Sequence, residues 1–380
     1  MQRGLLRRSC AADGLRATWP RPAATPERCT DGPRWKASVN RTTGTGAASA
    51  VTIADVAARA GVSVPTVSRV LTGAAKVSPA RRALVDAAIQ DLKFRPNAAA
   101  RSLASKRSRV IGIIAGGTSR YGYAETIRGI EEAARAAEYT VFITVVDGTG
   151  TEELDRAIAA TLGQRLAGAL VLKFDPPGVA ALRRPPDDLP VVALSGARDR
   201  STSQALLDEA AAGIEITQHL LDLGHRTVHH VRIPPSRPGR EDGRTAGWRR
   251  ALIRAGAVRP PLLDAGWEAV TGVPIGHRLA ADADVTAVFC GNDEIAMGVI
   301  RGLQEAGRRV PQDVSVAGFD DHPLAELWSP PLTTVRQDFA GLGRRAMRLL
   351  LDQLDGGPHA VSSIERPALV VRRSTARASR

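Results

Sequence analysis

Between Val51 and Leu92 the chain carries three short helical patterns whose stop and start signals lie only a few residues apart. Ile53, Val56, Ala57 and Ala60 recur on one helical face behind Thr52 as N-cap, and Gly61 ends the run. A second helix restarts at once: Ser63 caps it, Pro65 falls in the first turn where its missing N–H costs nothing, and Val67, Val70 and Leu71 supply the buried stripe. Two such helices about a glycine turn make a helix-turn-helix. A third helix, capped by Ser78 and opened by Pro79, offers Leu84, Val85, Ala88, Ile89 and Leu92 as its apolar face. Three helices of this length share one core, so residues 51–93 read as a small all-α domain.

Its outward residues then carry the chemistry. Val64, Pro65, Thr66, Ser68 and Arg69 lie at or near the N-terminal end of the second helix, the part that such motifs push into the major groove. Arg69 suits a guanine edge, Thr66 and Ser68 suit bases or phosphates, and Val64 suits a thymine methyl, while Thr52 and Ser63 sit at helix starts near the backbone. A solvated helix face with one ordinary arginine is the plainer reading, and the charge distribution shifts the balance away from it. The formal net charge is +13. Residues 1–50 hold 9 Lys/Arg against 3 Asp/Glu, residues 51–109 hold 11 against 3, and the remainder holds 32 against 33. A basic head on a neutral body is the footprint of a nucleic-acid module attached to something that does not touch nucleic acid.

The run TIADVAARAGVSVPTVSRVLTG, followed by VSPARRALVDAAIQDLKFRPNAAARSLAS, resembles the DNA-binding head and hinge of lactose-repressor (LacI/GalR) type bacterial transcription regulators. The likeness extends from Val51 to about Thr375. It implies that residues 94–109 form a hinge helix and linker, ordered only on operator DNA and paired with a dimer mate in the minor groove. Leu103 is then the inserting leucine, Asn97 and Arg101 stand beside the phosphate backbone, and Ala98, Ala99 and Ala100 let two hinge helices approach. A lone helix of under about twelve residues is marginal in water, and an apolar wedge that unstacks a base step is a known device in the minor groove. Leu103 as a linker residue packed on the body is the alternative.

From Val110 onward apolar runs alternate with helical patterns: VIGIIA, TVFITVV, AGALVL, LPVVAL, TVHHVRI, VTAVFC and VSVAGF are separated by amphipathic stretches. That alternation predicts an α/β body with parallel sheet covered on both faces, and about 270 residues is long for one such sheet. The resemblance implies a periplasmic-binding-protein-like (type I) body over 110–375, an N-lobe of about 110–208 and 338–365, a C-lobe of about 209–336 and 366–375, and a tail at 376–380. Ligands of such sheets bind beyond the carboxyl ends of the strands. The family motifs place Arg244 (GRTAGW) on a hydroxyl or carboxylate and Asp293 (GNDEIAMG) on the hydroxyls of a sugar-like effector, and put Asp320 (VSVAGFD) at a strand end ordering the cleft. Trp267 is placed to stack on a sugar face. An ordinary helix arginine, a helix cap and a core tryptophan are the plainer alternatives. The loop AGGTSRYGYAE lacks the family's proline and paired aromatics, leaving Tyr121 and Tyr123 as partial substitutes, and Ser195 stands where many relatives place an aspartate. Arg120 and Arg198 on N-lobe loops point toward negative charge on the effector, although solvated loop arginines explain them as well.

Residues 1–50 show no sustained periodicity and are rich in Arg, Pro, Ala, Gly and Thr. A disordered basic arm, a targeting peptide and sequence upstream of the true start are the readings, with the last favoured. Cys10, Cys29 and Cys290 are too few and scattered for a disulfide framework or zinc site, and His229 and His230 fall on opposite faces of one strand pattern. No cofactor or metal is expected. The expectation is a cytoplasmic homodimeric transcription regulator, most simply a repressor, whose partners are double-stranded operator DNA and a small effector. A transport-type sugar-binding protein is disfavoured by the helix-turn-helix and the missing secretory signal, and an enzyme by the lack of any nucleophile, metal or cofactor constellation.

Overall fold

The structure is a computed structural model that describes residues 51–71, 77–94, 108–146, 148, 150–182, 188–195, 198, 201–237 and 239–378. The chain divides into two units, one up to residue 95 and one from residue 96. The expected extension over 1–50 and the hinge residues Asn97, Arg101 and Leu103 lie outside the described residues.

In the first unit, α1 (Ile53–Ala60), α2 (Val64–Leu71) and α3 (Pro79–Asp91) enclose a core of Val56, Ala57, Ala60, Val67, Val70, Val85 and Ala88. Thr52 and Asp55 form a reciprocal capping box at the start of α1, and Gly61 ends it with φ 63° in the left-handed region. Val67 and Val70 face inward because α2 restarts two residues after that turn. Ser78 holds the N-cap position of α3 without a side-chain cap bond. Leu84, expected on the apolar face, is 55% exposed; with Val85 and Ala88 inward, a neighbour one position before Val85 is turned about 100° away.

The second unit holds two parallel sheets. Strands β1 (Val110–Ala115), β2 (Thr140–Val145), β3 (Gly168–Leu172), β4 (Val191–Leu194), β5 (Ser203–Leu207) and β11 (Ser362–Glu365) form one, in the order β11-β5-β4-β3-β1-β2. Strands β6 (His229–Arg232), β7 (Leu263–Asp264), β8 (Ala287–Cys290) and β9 (Ser315–Ala317) form the other, in the order β7-β6-β8-β9. A short antiparallel pair, β10 (Thr334–Arg336) with β12 (Ala368–Val370), adjoins the second sheet through bridges at Thr333 and Asp320. Strands β1, β3, β4 and β8 are buried, as continuous apolar runs in a parallel sheet require, whereas the apolar run of edge strand β2 is half-exposed. The backbone passes between the lobes at three places: after β5, between β10 and the next helix, and between β11 and β12.

Helices α4 (Tyr121–Ala136), α5 (Thr151–Leu162), α6 (Pro176–Ala181) and α12 (Phe339–Leu354) belong to the first lobe. Helices α7 (Glu209–Asp222), α8 (Gly243–Arg254), α9 (Gly272–Ala280), α10 (Asp293–Glu305) and α11 (Pro323–Leu327) belong to the second. The crossing of α7 and α8 positions the cleft. A Cβ on Gly247 would stand 2.4 Å from the Ala210 carbonyl oxygen, and one on Gly213 would stand 2.6 Å from that of Arg244. Backbone therefore meets backbone there, and Arg244 is brought onto the start of α7. His230 is core, stacked 4.6 Å from Phe289 and bonded to the Phe289 carbonyl and the Thr245 hydroxyl. Among the described residues no helix is long and apolar enough to cross a membrane.

Gly247→Val should push α7 from α8 and destabilise the body by about 1–3 kcal/mol, as overpacking of a tight core does. Denaturant unfolding of the variant beside the parent measures it, and an unchanged midpoint would contradict this packing.

Candidate functional site

Parallel strands present their carboxyl ends to one cleft in the second unit. Lys173 and Phe174 follow β3, Ser195 follows β4, Glu209 follows β5, Trp267 follows β7, Asn292 and Asp293 follow β8, and Asp320 follows β9. About 790 Å³ of open space lies in the cleft, part of it bulk solvent, at the carboxyl ends of the strands where parallel sheets take their ligands. All six expected effector residues, Tyr121, Ser195, Arg244, Trp267, Asp293 and Asp320, line it.

Arg244 is the electrostatic centre. Its guanidinium is buried and donates to Glu209 Oε1 through Nη2 at 2.9 Å and Nε at 3.2 Å, and through Nη1 to the Gly291 carbonyl. Asp320 Oδ1 lies 3.4 Å from Nη2, and the Phe319 ring underlies the group at 4.5 Å. Burial opposes its charge, but Asp320 and Glu209 more than offset this and hold the guanidinium protonated.

Asp293 does not cap α10. That role falls to Asn292, whose side chain accepts from the Ile295 N–H at 2.8 Å. Asp293 is buried and accepts from the Thr334 hydroxyl at 2.5 Å and the His322 N–H at 2.7 Å, which tie it to β10 and to the start of α11. Burial, then the Asp320 charge, pushes its carboxyl well above the ordinary range. Asp320 sits at φ 116°, strained for a residue with a Cβ, and accepts from Gln337 Nε2 at 2.7 Å. Burial raises it to about 6, against the opposing pull of Arg244.

The other wall is aromatic. Tyr121 makes edge contacts with His322 at 4.8 Å and Phe339 at 5.9 Å, so its ring touches both lobes. Tyr123 is buried and donates to Asp175 Oδ2 at 2.5 Å, while Asp175 Oδ1 accepts the Gly178 N–H as the N-cap of α6. Burial first, then Asp175, raises the Tyr123 hydroxyl. Ser195 is buried with φ 60°. Trp267 presents its ring to the cleft, but the Arg120 guanidinium lies 4.6 Å from its centroid, on a face that a sugar would use.

Sequence reasoning passed over Glu209, Lys173, His322 and Phe339, all of which line the cleft. Lys173 had a signal: it directly follows the apolar strand β3, where a parallel sheet delivers its ligand contacts, whereas Glu209 follows β5, whose polar start hides it. His322, the N-cap of α11, and Phe339, the first residue of α12, reach the cleft from helix starts that no periodicity marks.

In the first unit, Ser63, Val64, Pro65 and Arg69 are exposed on α2, and Thr66 and Ser68 are half-buried. The Ser63 and Thr66 hydroxyls lie 2.9 Å apart. Thr52 is exposed and engaged with Asp55, whose carboxyl the Thr52 N–H and hydroxyl hold below its usual range.

Residues 52–97 match the family of bacterial regulatory proteins of the lacI type, and residues 217–375 match a periplasmic binding protein-like domain. Catabolite control protein A of Priestia megaterium is 36% identical over 313 residues, covering 79% of this chain and 91% of that protein. The lac repressor dimer bound to operator and the anti-inducer ONPF superposes with a TM-score of 0.79 at 29% identity, covering 86% of this chain and 99% of that one. The transcriptional regulator CelR in complex with cellobiose superposes with a TM-score of 0.62 at 29% identity, over 85% and 99%. With its helix-turn-helix head and its two-lobed body built on parallel sheets, the chain belongs to the lacI family of DNA-binding transcriptional regulators with an effector domain.

Proposed function

We propose that this chain is an operator-binding repressor, working as a homodimer in the cytoplasm and not as an enzyme, whose DNA affinity is set by a small polyhydroxylated effector in the cleft. The observation that carries the reading is the charged set of Arg244, Glu209, Asp293 and Asp320 at the carboxyl ends of the C-lobe strands and at the first crossing. A forked donor beside several carboxylate acceptors pairs with a ligand's hydroxyls in both directions. The kinship with CelR, whose complex holds cellobiose, agrees with a sugar-like ligand. Tyr121, Ser195 and Trp267 complete the effector contacts in this reading, with Arg120 leaving the indole face when a ring stacks there.

Thr52, Ser63, Val64, Pro65, Thr66, Ser68 and Arg69 carry the major-groove and backbone contacts. Asn97, Arg101 and Leu103 act from a hinge over 94–109, which joins the head over 51–93 to the body over 110–375. A dimer is supported by β2, one of the two edge strands of the six-stranded sheet, where Phe142, Ile143 and Val145 are 37–42% exposed. If only one lobe arrangement lets two hinges meet on DNA, effector and operator affinities are coupled reciprocally.

Leu103→Ala should weaken operator binding by about 1–3 kcal/mol, the order of an inserted side chain's contribution, while leaving effector binding intact. Asp293→Ala should do the reverse. Gel-shift and calorimetry on both variants check this, and equal loss of both functions in either variant would contradict it.

The Asp320 value also fixes a pH dependence. The folded carboxyl keeps its proton up to about pH 6, against 3.8 for the ordinary group, so its ionised form is the costlier one in the fold and dominates only above that pH. As pH falls from 7.5 to 5, Asp320 takes up a proton and ceases to be a charged acceptor facing Arg244. Effector affinity should fall by up to about tenfold across that range, and Asp320→Asn should flatten the profile in calorimetric titrations. An identical pH profile in the variant would exclude this role.

A further inference from the structure

We propose that Arg120 and Tyr121 form a latch that holds the two lobes in this arrangement when the cleft is empty, and that a ligand ring taking the face of Trp267 releases it. Release by a ring rests on the cleft being the effector site; the latch itself does not. Two consecutive residues of one lobe each reach a ring fixed in the other. The Arg120 guanidinium carbon lies 4.6 Å from the Trp267 ring centroid, and the Tyr121 ring meets the His322 ring edge-on at 4.8 Å. Arg120 and Tyr121 stand at the start of α4 in the N-lobe, whereas Trp267 follows β7 and His322 precedes α11 in the C-lobe.

Both ends of the latch are anchored. A Cβ on Gly122 would stand 3.0 Å from Phe339 Cζ, and one on Gly129 would stand 2.0 Å from the Ala340 carbonyl oxygen, so α4 lies directly on α12 and its first turn is fixed within the N-lobe. On the opposite side Trp267 packs against the C-lobe core, and His322 Nδ1 accepts the Leu324 N–H at 3.1 Å as the N-cap of α11, which holds its ring. A cation over an indole gains most where water is scarce, and an edge-on aromatic pair adds to it. Contacts of this size are small beside the stability of either lobe. They act on the angle between the lobes, because a lobe rotation breaks the contacts that span the cleft and leaves each lobe's own packing intact. Arg120 also covers the face that a stacking ring needs, so ring and guanidinium exclude one another there. Filling the cleft then removes a contact that favours one arrangement, which gives the effector a difference between states to act on.

Electron–electron double resonance between spin labels reads the lobe separation without any ligand. With Cys10 and Cys29 replaced by serine and Cys290 left buried, Ala136→Cys and Ala306→Cys place labels on exposed residues at the far ends of α4 and α10, and dilution of labelled chain into unlabelled chain isolates the distance within one chain. Arg120→Gln should shift the populations toward a second distance by about three- to tenfold, the range of one cation–π contact. Arg120→Lys, which keeps a cation for the indole, should retain most of the parent distribution. Trp267→Leu should shift it as Arg120→Gln does, and the two together should do no more than either alone. Thermal melts confirm folding, and Arg120, only half-buried, supplies the variant safest for the fold. A distribution in Arg120→Gln superimposable on the parent's, an Arg120→Lys variant that opens as far as Arg120→Gln, or effects of Arg120→Gln and Trp267→Leu that simply add would overturn the latch. Titration with the duplex that the parent chain selects from a random-sequence pool separates the two levels. Altered lobe distances with unchanged affinity for that duplex leave the latch standing and count against the coupling of cleft to head, whereas unaltered distances overturn the latch whatever the duplex affinity.

Discussion

The buried ion pairing of Arg244 with Glu209 and Asp320 is the constraint around which the body is organised. Glu209 is the first residue of α7, directly after the chain leaves β5 for the C-lobe. Asp320 is bonded to Gln337, which lies in the second passage between the lobes, one residue after β10 ends. The arginine that an effector would meet is thus linked, directly through Glu209 and indirectly through Asp320, to two of the three places where the lobes are joined. On the N-lobe side Arg345 donates to the carbonyls of Leu206 and Ser363 and lies 3.1 Å from Glu365, tying the first passage to the third. Removing one partner of a buried pair costs about 3–5 kcal/mol, so a ligand that exchanges its own groups for Glu209 or Asp320 acts with energies comparable to the stability of the lobe arrangement.

That arrangement gives the effector a physical handle. A ligand shifts a two-state equilibrium only through contacts that differ between the states. Tyr121 against His322 and Arg120 against Trp267 are such contacts, since each joins an N-lobe residue to a C-lobe residue across the cleft. A ring stacked on the face of Trp267 that Arg120 covers would displace that guanidinium. The strained backbone at Ser195 and Asp320 lies in the same lining, where a fold commonly concentrates such conformations.

Much of this was legible from residues alone. Thr52, Gly61 and Pro79 announced the three helices of the head because caps and glycine turns act locally. The runs VIGIIA and AGALVL read as buried strands because both faces are covered. Strand β5 was missed: SQALL opens with polar Ser203 and Gln204, yet all five residues are buried, with Gln204 close to Lys173 inside the lobe. Such burial depends on a partner about thirty residues away, which no local pattern contains. Leu84 erred in the opposite direction, since apolar character alone does not say which side of α3 meets the core. In the cleft, Arg244 and Asp293 were legible through motif, whereas the Arg120–Trp267 stack joins residues 147 positions apart and required the fold.

The central claim is that the cleft and the head share one equilibrium. Anisotropy titration of a labelled operator fragment, without and with a saturating cleft ligand found by calorimetry, tests it most directly when paired with titration of that ligand without and with operator. The account predicts that both affinities change by the same factor, at least about fivefold in either direction. An operator affinity that stays constant while the cleft fills would contradict it.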